Sequence, residues 1–250
     1  MTSVAGFDME LDLQSVLPSA LAARVATVVN PRARRLSLRL DPAGGQIVLV
    51  VPKRASSRTV LGFVGSRQAW IRAHLETLPP RIPFCDGALI PVGGTDHTLK
   101  LAPERRGGVW REGDTIMIAG QPEFAPRRMR DWLKREARRE LTPLVHAMAS
   151  ALGCKVKQVT VRDTTSRWGS CSSDGKLSFS WRLMLAPRAV LLYVAAHEVA
   201  HLRHLHHRRI FWRTVDEVLD ACVNDAAERR DAGLARDWLR RHGAGLHRYG

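Results

Sequence analysis

Cysteine is scarce in this 250-residue chain, which contains only Cys85, Cys154, Cys171 and Cys222. The closest pair, Cys154 and Cys171, is 17 residues apart, so the sequence has no Cys-x-x-Cys clip for a metal ion. Sparse and scattered cysteines are typical of proteins from a reducing compartment, where disulfides rarely persist. They therefore predict an intracellular protein without a cysteine-based metal site.

Long apolar stretches are missing as well. The longest unbroken run covers residues 189–196, whereas a transmembrane helix needs about 20 apolar residues. The first ten residues lack the basic start and the apolar segment of a secretory signal peptide. These absences predict a cytoplasmic protein with no membrane partner.

Acidic residues are outnumbered by basic ones. The chain has 39 Lys and Arg residues against 24 Asp and Glu residues, which gives a formal net charge of +15. Such an excess favours an anionic partner, a nucleic acid or a nucleotide, at a basic surface. A solvated, arginine-rich surface explains the charge equally well, because no known type of nucleic-acid-binding motif accompanies it.

The spacing of apolar residues in the first half favours β structure. Hydrophobic residues make up 45% of the chain, enough for a folded core. After a loose leader at residues 1–24, the pattern predicts an N-terminal, mainly β module over residues 25–121. Its expected elements are strands at residues 36–40 and 47–51 around a turn at 41–45, a helix from Ser56 or Ser57 to residue 78, and strands at residues 88–92, 97–101 and 115–119.

The second half, residues 122–250, favours helices. The patterns predict an α+β fold in which the β module precedes a catalytic domain built around a central helix and ending in a C-terminal helix. The expected elements are a long helix ended by Gly153, strands at residues 156–162 and 177–185 around a loop of small residues, a buried helix after Pro187, and helices at residues 208–219 and 225–240.

The stretch His197-Glu198-Val199-Ala200-His201 has the pattern of a metal site. On a helix, His197 and His201 lie one turn apart on the same face, where two imidazoles can bind one metal ion. Glu198 lies about 100° further round the helix, within reach of a water molecule on that metal. Apolar residues surround the stretch, and buried polar side chains are costly unless they serve a purpose.

A third histidine, His207, follows six residues after His201. Three nitrogen ligands and an open fourth position describe a catalytic zinc site. The helix must end before His207 for this side chain to turn back towards the metal. His206 stays an alternative third ligand, and His204 is expected beside the mouth of the site.

A known family shares these motifs. The chain closely resembles the YgjP-like metallopeptidase family in Arg167-Trp168-Gly169-Ser170-Cys171-Ser172, in His197-Glu198-Val199-Ala200-His201, in His207 and in Phe211-Trp212. The N-terminal half is similar to the family in Arg34-Arg35-Leu36-Ser37-Leu38, Val51-Pro52 and Trp70-Ile71. The resemblance therefore covers roughly residues 25–220.

The resemblance implies a zincin-like metallopeptidase domain, here residues 122–250, related to SprT-like proteases, some of which cleave proteins crosslinked to DNA. It implies that His197, His201 and His207 bind zinc and that Glu198 is the general base. The family often has Asn immediately before the third histidine, where this chain has His206, so an exchange of ligands between His206 and His207 stays open.

The leading prediction is zinc-dependent hydrolysis of peptide bonds in a peptide or protein, by a metal-activated water with Glu198 as the general base. One alternative is a metal-dependent nucleotide pyrophosphatase that cleaves a phosphoanhydride at the same site, although the sequence has no Walker-type loop. Another is a DNA-associated protease or binding module. The side chains expected to contact substrate or stabilise an oxyanion are Arg167, Trp168, Ser170, Tyr193 and His204.

Overall fold

The computed structural model describes residues 11–41, 45–77, 80–164 and 166–250. Contacts between residues divide the chain into two compact units, Met1–Arg81 and Ile82–Gly250. Both units combine helices with sheets, so the predicted α+β class is confirmed. The first ten residues of the predicted leader, most of the predicted turn at 41–45 and the predicted helix end at 78 lie outside the described residues.

The first unit contains a three-stranded sheet. The predicted hairpin is present as β2 (Ser37–Asp41) and β3 (Gln46–Pro52), which pair antiparallel. A strand that the sequence analysis did not separate, β1 (Val25–Asn30), pairs in parallel with the other side of β3. The described part of the predicted leader includes the short helix α1 (Ser19–Ala22) and adds buried leucine side chains to the core of this unit.

Two helices replace the single helix predicted from residue 56 to residue 78. Ser56 caps α2 (Ser57–Ser66), because its hydroxyl accepts a hydrogen bond from the backbone N–H of Thr59 at 3.2 Å. The chain then leaves the helical conformation at Arg67, with φ −109° and ψ 9°, before α3 (Gln68–Thr77). The apolar spacing that predicted one helix continues across the break, which explains the error.

The second unit begins with a four-stranded sheet of order β4-β5-β7-β6. Three of its strands were predicted, whereas the short β6 was not. The sheet shares one hydrophobic core with the long helix α4 (Ala125–Ala151), so the sequence boundary proposed at residue 121 falls inside this compact unit. The strands are β4 (Leu89–Val92), β5 (Thr95–Ala102), β6 (Val109–Glu112) and β7 (Thr115–Ala119).

A second sheet of this unit follows α4. Its central strand β10 (Lys176–Ser180) pairs in parallel with β8 (Gln158–Arg162) and antiparallel with β9 (Gly169–Cys171). The strand predicted over residues 177–185 is too long, because Trp181–Leu185 forms a 3-10 helix. All five of its side chains are buried, and the hydroxyl of Ser180 accepts a hydrogen bond from the backbone of Arg182.

Three helices complete the second unit: α5 (Arg188–Ala200), α6 (Arg209–Cys222) and α7 (Ala226–Leu246). Helix α5 packs against α4, α6, α7 and β9, as expected for a buried central helix. Helix α7 is longer than predicted, since it continues through Gly243 and Gly245. Among the described residues, none of the helices combines the length and apolar character that crossing a bilayer requires.

Arg182 joins the 3-10 helix to the end of α7. Its side chain is only 6% exposed. It donates hydrogen bonds to the carboxylate of Asp163 at 3.1 Å and to the backbone carbonyls of Leu246 and Tyr249 at 3.1 and 2.7 Å. A buried cation that is bound in this way is stabilising only while its partners remain in place.

Replacing this buried cation is therefore expected to destabilise the second unit. Arg182→Met should lower the free energy of unfolding by about 3 kcal/mol, since it leaves buried acceptors without a donor. Arg188→Met is the control, because Arg188 forms ion pairs with Glu140 and Glu228 but its side chain is 54% exposed, and exposed pairs contribute about 1 kcal/mol or less. Urea unfolding followed by tryptophan fluorescence measures both, and equal losses would contradict the assignment.

Candidate metal centre

The end of helix α5 brings two histidines to one point. His197 lies in its last turn, and His201 caps it with helical angles of φ −65° and ψ −18°. The two rings are therefore one turn apart on the same face, with centroids 5.0 Å apart. This spacing of His197 and His201 agrees with the helical arrangement expected from the sequence.

The segment after α5 turns the chain back, so that His207 meets the other two histidines before α6 begins. The Nε2 atoms of His207 and His197 are 3.1 Å apart. One ring nitrogen from each of His197, His201 and His207 lies within 4.8 Å of the others, an arrangement that can hold a metal ion. His206 is not part of this group among the described residues; its ring stacks instead near that of His204, at 6.4 Å.

Neighbouring groups orient these rings. Nδ1 of His201 forms a hydrogen bond with the backbone carbonyl of His204 at 2.9 Å, which leaves Nε2 of His201 free to face a metal ion. The indole N–H of Trp212 donates to the carbonyl of His207 at 3.2 Å. The fully buried ring of Phe211 lies 4.6 to 4.9 Å from all three imidazole centroids. The start of α6 thus packs against all three rings of the cluster through Phe211.

The electrostatics of the cluster favour neutral imidazoles. Burial, together with the neighbouring charges of His201 and His207, lowers the pKa of His197 to about 4. Burial also lowers the pKa of His201. Neutral imidazole is the form that binds a metal ion, and zinc commonly takes three such nitrogens. The donor atoms, their spacing and the lowered pKa values of His197 and His201 therefore fit zinc.

Glu198 lies beside the histidines in a confined position. The residue is 7% exposed, and burial raises the pKa of its carboxyl to about 7, although the positive charge of Arg167 acts in the opposite direction. A Cβ atom on Gly169 would lie 2.5 Å from Cγ and 2.7 Å from Oε1 of Glu198. Strand β9 can approach the carboxylate this closely only because residue 169 is glycine.

A cavity of about 540 Å³ opens beside Glu198, His197 and His207. Trp168 and Tyr193, both expected to contact substrate, form part of its wall, and Arg167 is also at the wall. Two other candidates lie elsewhere: Ser170 pairs with Ser178 inside the sheet, and His204 contacts the site through its backbone carbonyl. Neither of these two side chains lines the cavity.

Five residues of the cavity wall were not predicted as site residues: Gly169, Val194, Trp212, Arg236 and Leu239. Trp212 was noted only within a motif, whereas Arg236 and Leu239 lie on α7, more than 30 residues after the metal-site motif. No local spacing connects α7 to the histidines. The close approach of α7 is visible at Gly243, where a Cβ atom would lie 3.0 Å from the ring of Trp168.

A family model described as YgjP-like, metallopeptidase domain, matches residues 34–230. The chain belongs to this family. The predicted resemblance is confirmed, and membership of the YgjP-like family implies a metal-dependent hydrolase that acts on peptides or proteins.

Similarity to proteins outside the family model is weak. The chain resembles the metallopeptidase zymogen abylysin from Pyrococcus abyssi, known from a crystal structure, at 18% identity and a TM-score of 0.32. The match covers 40% of this chain and 93% of abylysin. No curated protein matches the chain by sequence.

The geometry places His207, and not His206, in the cluster that could hold a metal ion. His207→Ala is expected to weaken the binding of Zn²⁺ at least a hundredfold, because even residues that only orient a ligand contribute about 10- to 100-fold. His206→Ala should bind Zn²⁺ like the wild type. Competition with a chromophoric chelator measures both affinities. The reverse order of the two variants would show that His206 is the ligand.

Proposed function

We propose that the chain is a zinc-dependent metallopeptidase with a zincin-like catalytic domain. The observation that supports this most directly is the convergence of His197, His201 and His207 within 4.8 Å of one another, next to a buried carboxylate and a cavity. Family membership supports the class of reaction. The site lies entirely within the second compact unit, which begins at Ile82.

In this proposal His197, His201 and His207 hold the zinc ion. A bound zinc ion supplies Lewis-acid activation of water and polarisation of the peptide carbonyl. Glu198 is the general base. Its carboxylate takes a proton from the attacking water and returns it to the nitrogen of the leaving amine. Its burial serves this role, since the raised pKa allows the carboxylate to accept and then release a proton near neutral pH.

The sheet beside the site supplies a place for an extended peptide. In the order β8-β10-β9, strand β9 is at the edge of the sheet, and within the part of the chain that the structure describes it pairs only with β10. Gly169 belongs both to β9 and to the cavity wall. A peptide that added to this edge by backbone hydrogen bonds would pass next to Glu198 and the histidines. Tyr193 has a hydroxyl group in the cavity wall that could donate a hydrogen bond to an oxyanion. Arg167, also in the wall, is the cation whose charge acts on the carboxyl group of Glu198.

A second candidate function uses the same site. Arg167 and Arg236 in the cavity wall suit an anion, so hydrolysis of a phosphoanhydride in a nucleoside triphosphate stays a competing proposal. Association with DNA rests on the net charge of +15 alone, and no feature of the metal centre favours it. An assay on peptides and on nucleoside triphosphates distinguishes the two hydrolytic functions.

The general base provides the direct test. Glu198→Gln is expected to keep zinc binding, because the three histidines are unchanged, and to lower the rate of hydrolysis by about 10²- to 10⁴-fold. The wild type and the variant should be assayed on casein, on a mixed peptide pool and on nucleoside triphosphates, with the zinc content of each measured.

Removal of zinc with a chelator followed by its return is the control for this assay, since activity should disappear and reappear in the wild type. Full activity of Glu198→Gln would overturn the proposed mechanism. Hydrolysis of triphosphates without hydrolysis of peptides would replace the proposed reaction with the competing one.

Gly169 offers a second test. Gly169→Ala places a methyl group where Glu198 now lies, so the carboxylate must move, and a displacement of about 1 Å is expected to lower activity about a hundredfold. Zinc binding should change little. Gly245→Ala is the matched control, because nothing lies within 4 Å of a Cβ atom at that position. Wild-type activity of Gly169→Ala would show that Glu198 does not need its observed position.

A further inference from the structure

Three residues in the wall of the cavity beside the metal centre have no role in the proposed reaction. Together with Tyr193, the wall contains the ring of Trp212, the aliphatic side chain of Leu239 and the guanidinium group of Arg236. The wall thus combines apolar surfaces with a positive charge. A substrate group that fits it must have an apolar part and an anionic part.

Arg236 is held near the metal ligands by an aromatic ring. Its Cζ atom lies 5.4 Å from the centroid of the Trp212 ring, within the range of a cation–π contact. The same ring lies 5.7 Å from the centroids of both His197 and His207. Trp212 therefore places the guanidinium charge of Arg236 close to the proposed ligands His197 and His207.

Among the described residues, no carboxylate forms an ion pair with Arg236. The acidic residue that follows it, Asp237, is paired with Arg240 at 3.3 Å. Elsewhere on α7, Arg229 is paired with Asp220 and Glu228 with Arg188. The guanidinium of Arg236 thus lies at the cavity with its hydrogen-bond donors available to an anion from solution.

We propose that Arg236 is a specificity-determining residue that binds a carboxylate of the peptide substrate, while the apolar wall contacts the neighbouring side chain. The carboxylate is that of an acidic residue next to the cleaved bond or that of the peptide C-terminus, since both present the same two oxygen atoms to a guanidinium. This inference rests on the proposed peptidase function and adds a substrate preference to it.

A single guanidinium fits a carboxylate better than a triphosphate. Triphosphates are usually held by several backbone N–H groups together with a lysine and a magnesium ion, and the sequence has no Gly-rich loop of that kind. The other arginine at the cavity, Arg167, acts on Glu198. Arg236 is therefore the cation that can be changed to test substrate preference without removing a charge that acts on the general base.

The experiment measures binding separately from hydrolysis. Fluorescent peptides with an apolar central residue are titrated against full-length, zinc-loaded Glu198→Gln protein. One pair of peptides differs by Asp against Asn beside the central residue, and another by a free C-terminal acid against an amide. We expect the carboxylate form of at least one pair to bind about 10- to 100-fold more tightly, because a hydrogen-bonded charge contributes that much.

Variants on α7 assign this preference to Arg236. Arg236→Gln should abolish it and Arg236→Lys should keep part of it, since lysine retains the charge but not the planar pair of donors. Arg230→Gln is the matched control, because it removes the same charge from the exposed surface of the same helix outside the cavity. The pair that shows the preference identifies the source of the carboxylate.

Three results would overturn the inference: equal binding of both members of each pair, a preference that Arg236→Gln leaves intact, or no binding of any peptide up to millimolar concentration. The proposed function fails separately. If the wild type hydrolyses none of the peptides while the Arg236-dependent preference is present, the peptidase proposal falls and the carboxylate site remains. If it hydrolyses peptides without any such preference, only the carboxylate site falls.

Discussion

The burial of helix α5 is the constraint on which the metal centre depends. Most of this helix is apolar and packed on all sides, and a buried polar group is stable only with partners. His197 and Glu198 are placed in its last turns, where the cavity begins. Neighbouring elements contact both side chains. Phe211 of α6 packs against the histidine rings, and Gly169 of β9 lies beside the carboxylate of Glu198. The candidate residues His197 and Glu198 are thus held in place by the packing of α5.

The candidate site could be predicted from sequence as far as local geometry extends. His197, Glu198 and His201 follow from helical periodicity. For the third ligand the sequence left His207 and His206 both open, because the path of the short segment after the helix is not set by a local pattern. Trp212, Arg236 and Leu239 could not be placed in this way, because their approach to the histidines depends on how α6 and α7 pack against α5. Ser170 was predicted from the motif at residues 167–172 and His204 from its position just after His201, and neither side chain lines the cavity.

The fold shows the same division between local and long-range information. Alternating apolar residues identified the hairpin of β2 and β3, whereas β6 was missed because Trp110, Arg111 and Glu112 are polar or only partly buried. The domain boundary predicted at residue 121 followed the segment at residues 121–126, which contains two prolines. Residues on both sides of this segment share one core, which includes Ile116, Ile118, Met129 and Leu133, and no pattern within β7 or α4 reports that contact.

The position of α7 links the stability of the second unit to the chemistry of its cavity. Arg182 binds the carbonyl groups at the end of this helix, and the absence of a side chain at Gly243 lets the helix approach Trp168. Between the N-terminus of α7 and these contacts lie Arg236 and Leu239. Because α7 is a single continuous helix, its attachment at one end determines where the positive charge of Arg236 lies relative to His207. Arg182, a buried cation outside the cavity wall, thereby helps to hold in place the helix that carries part of that wall.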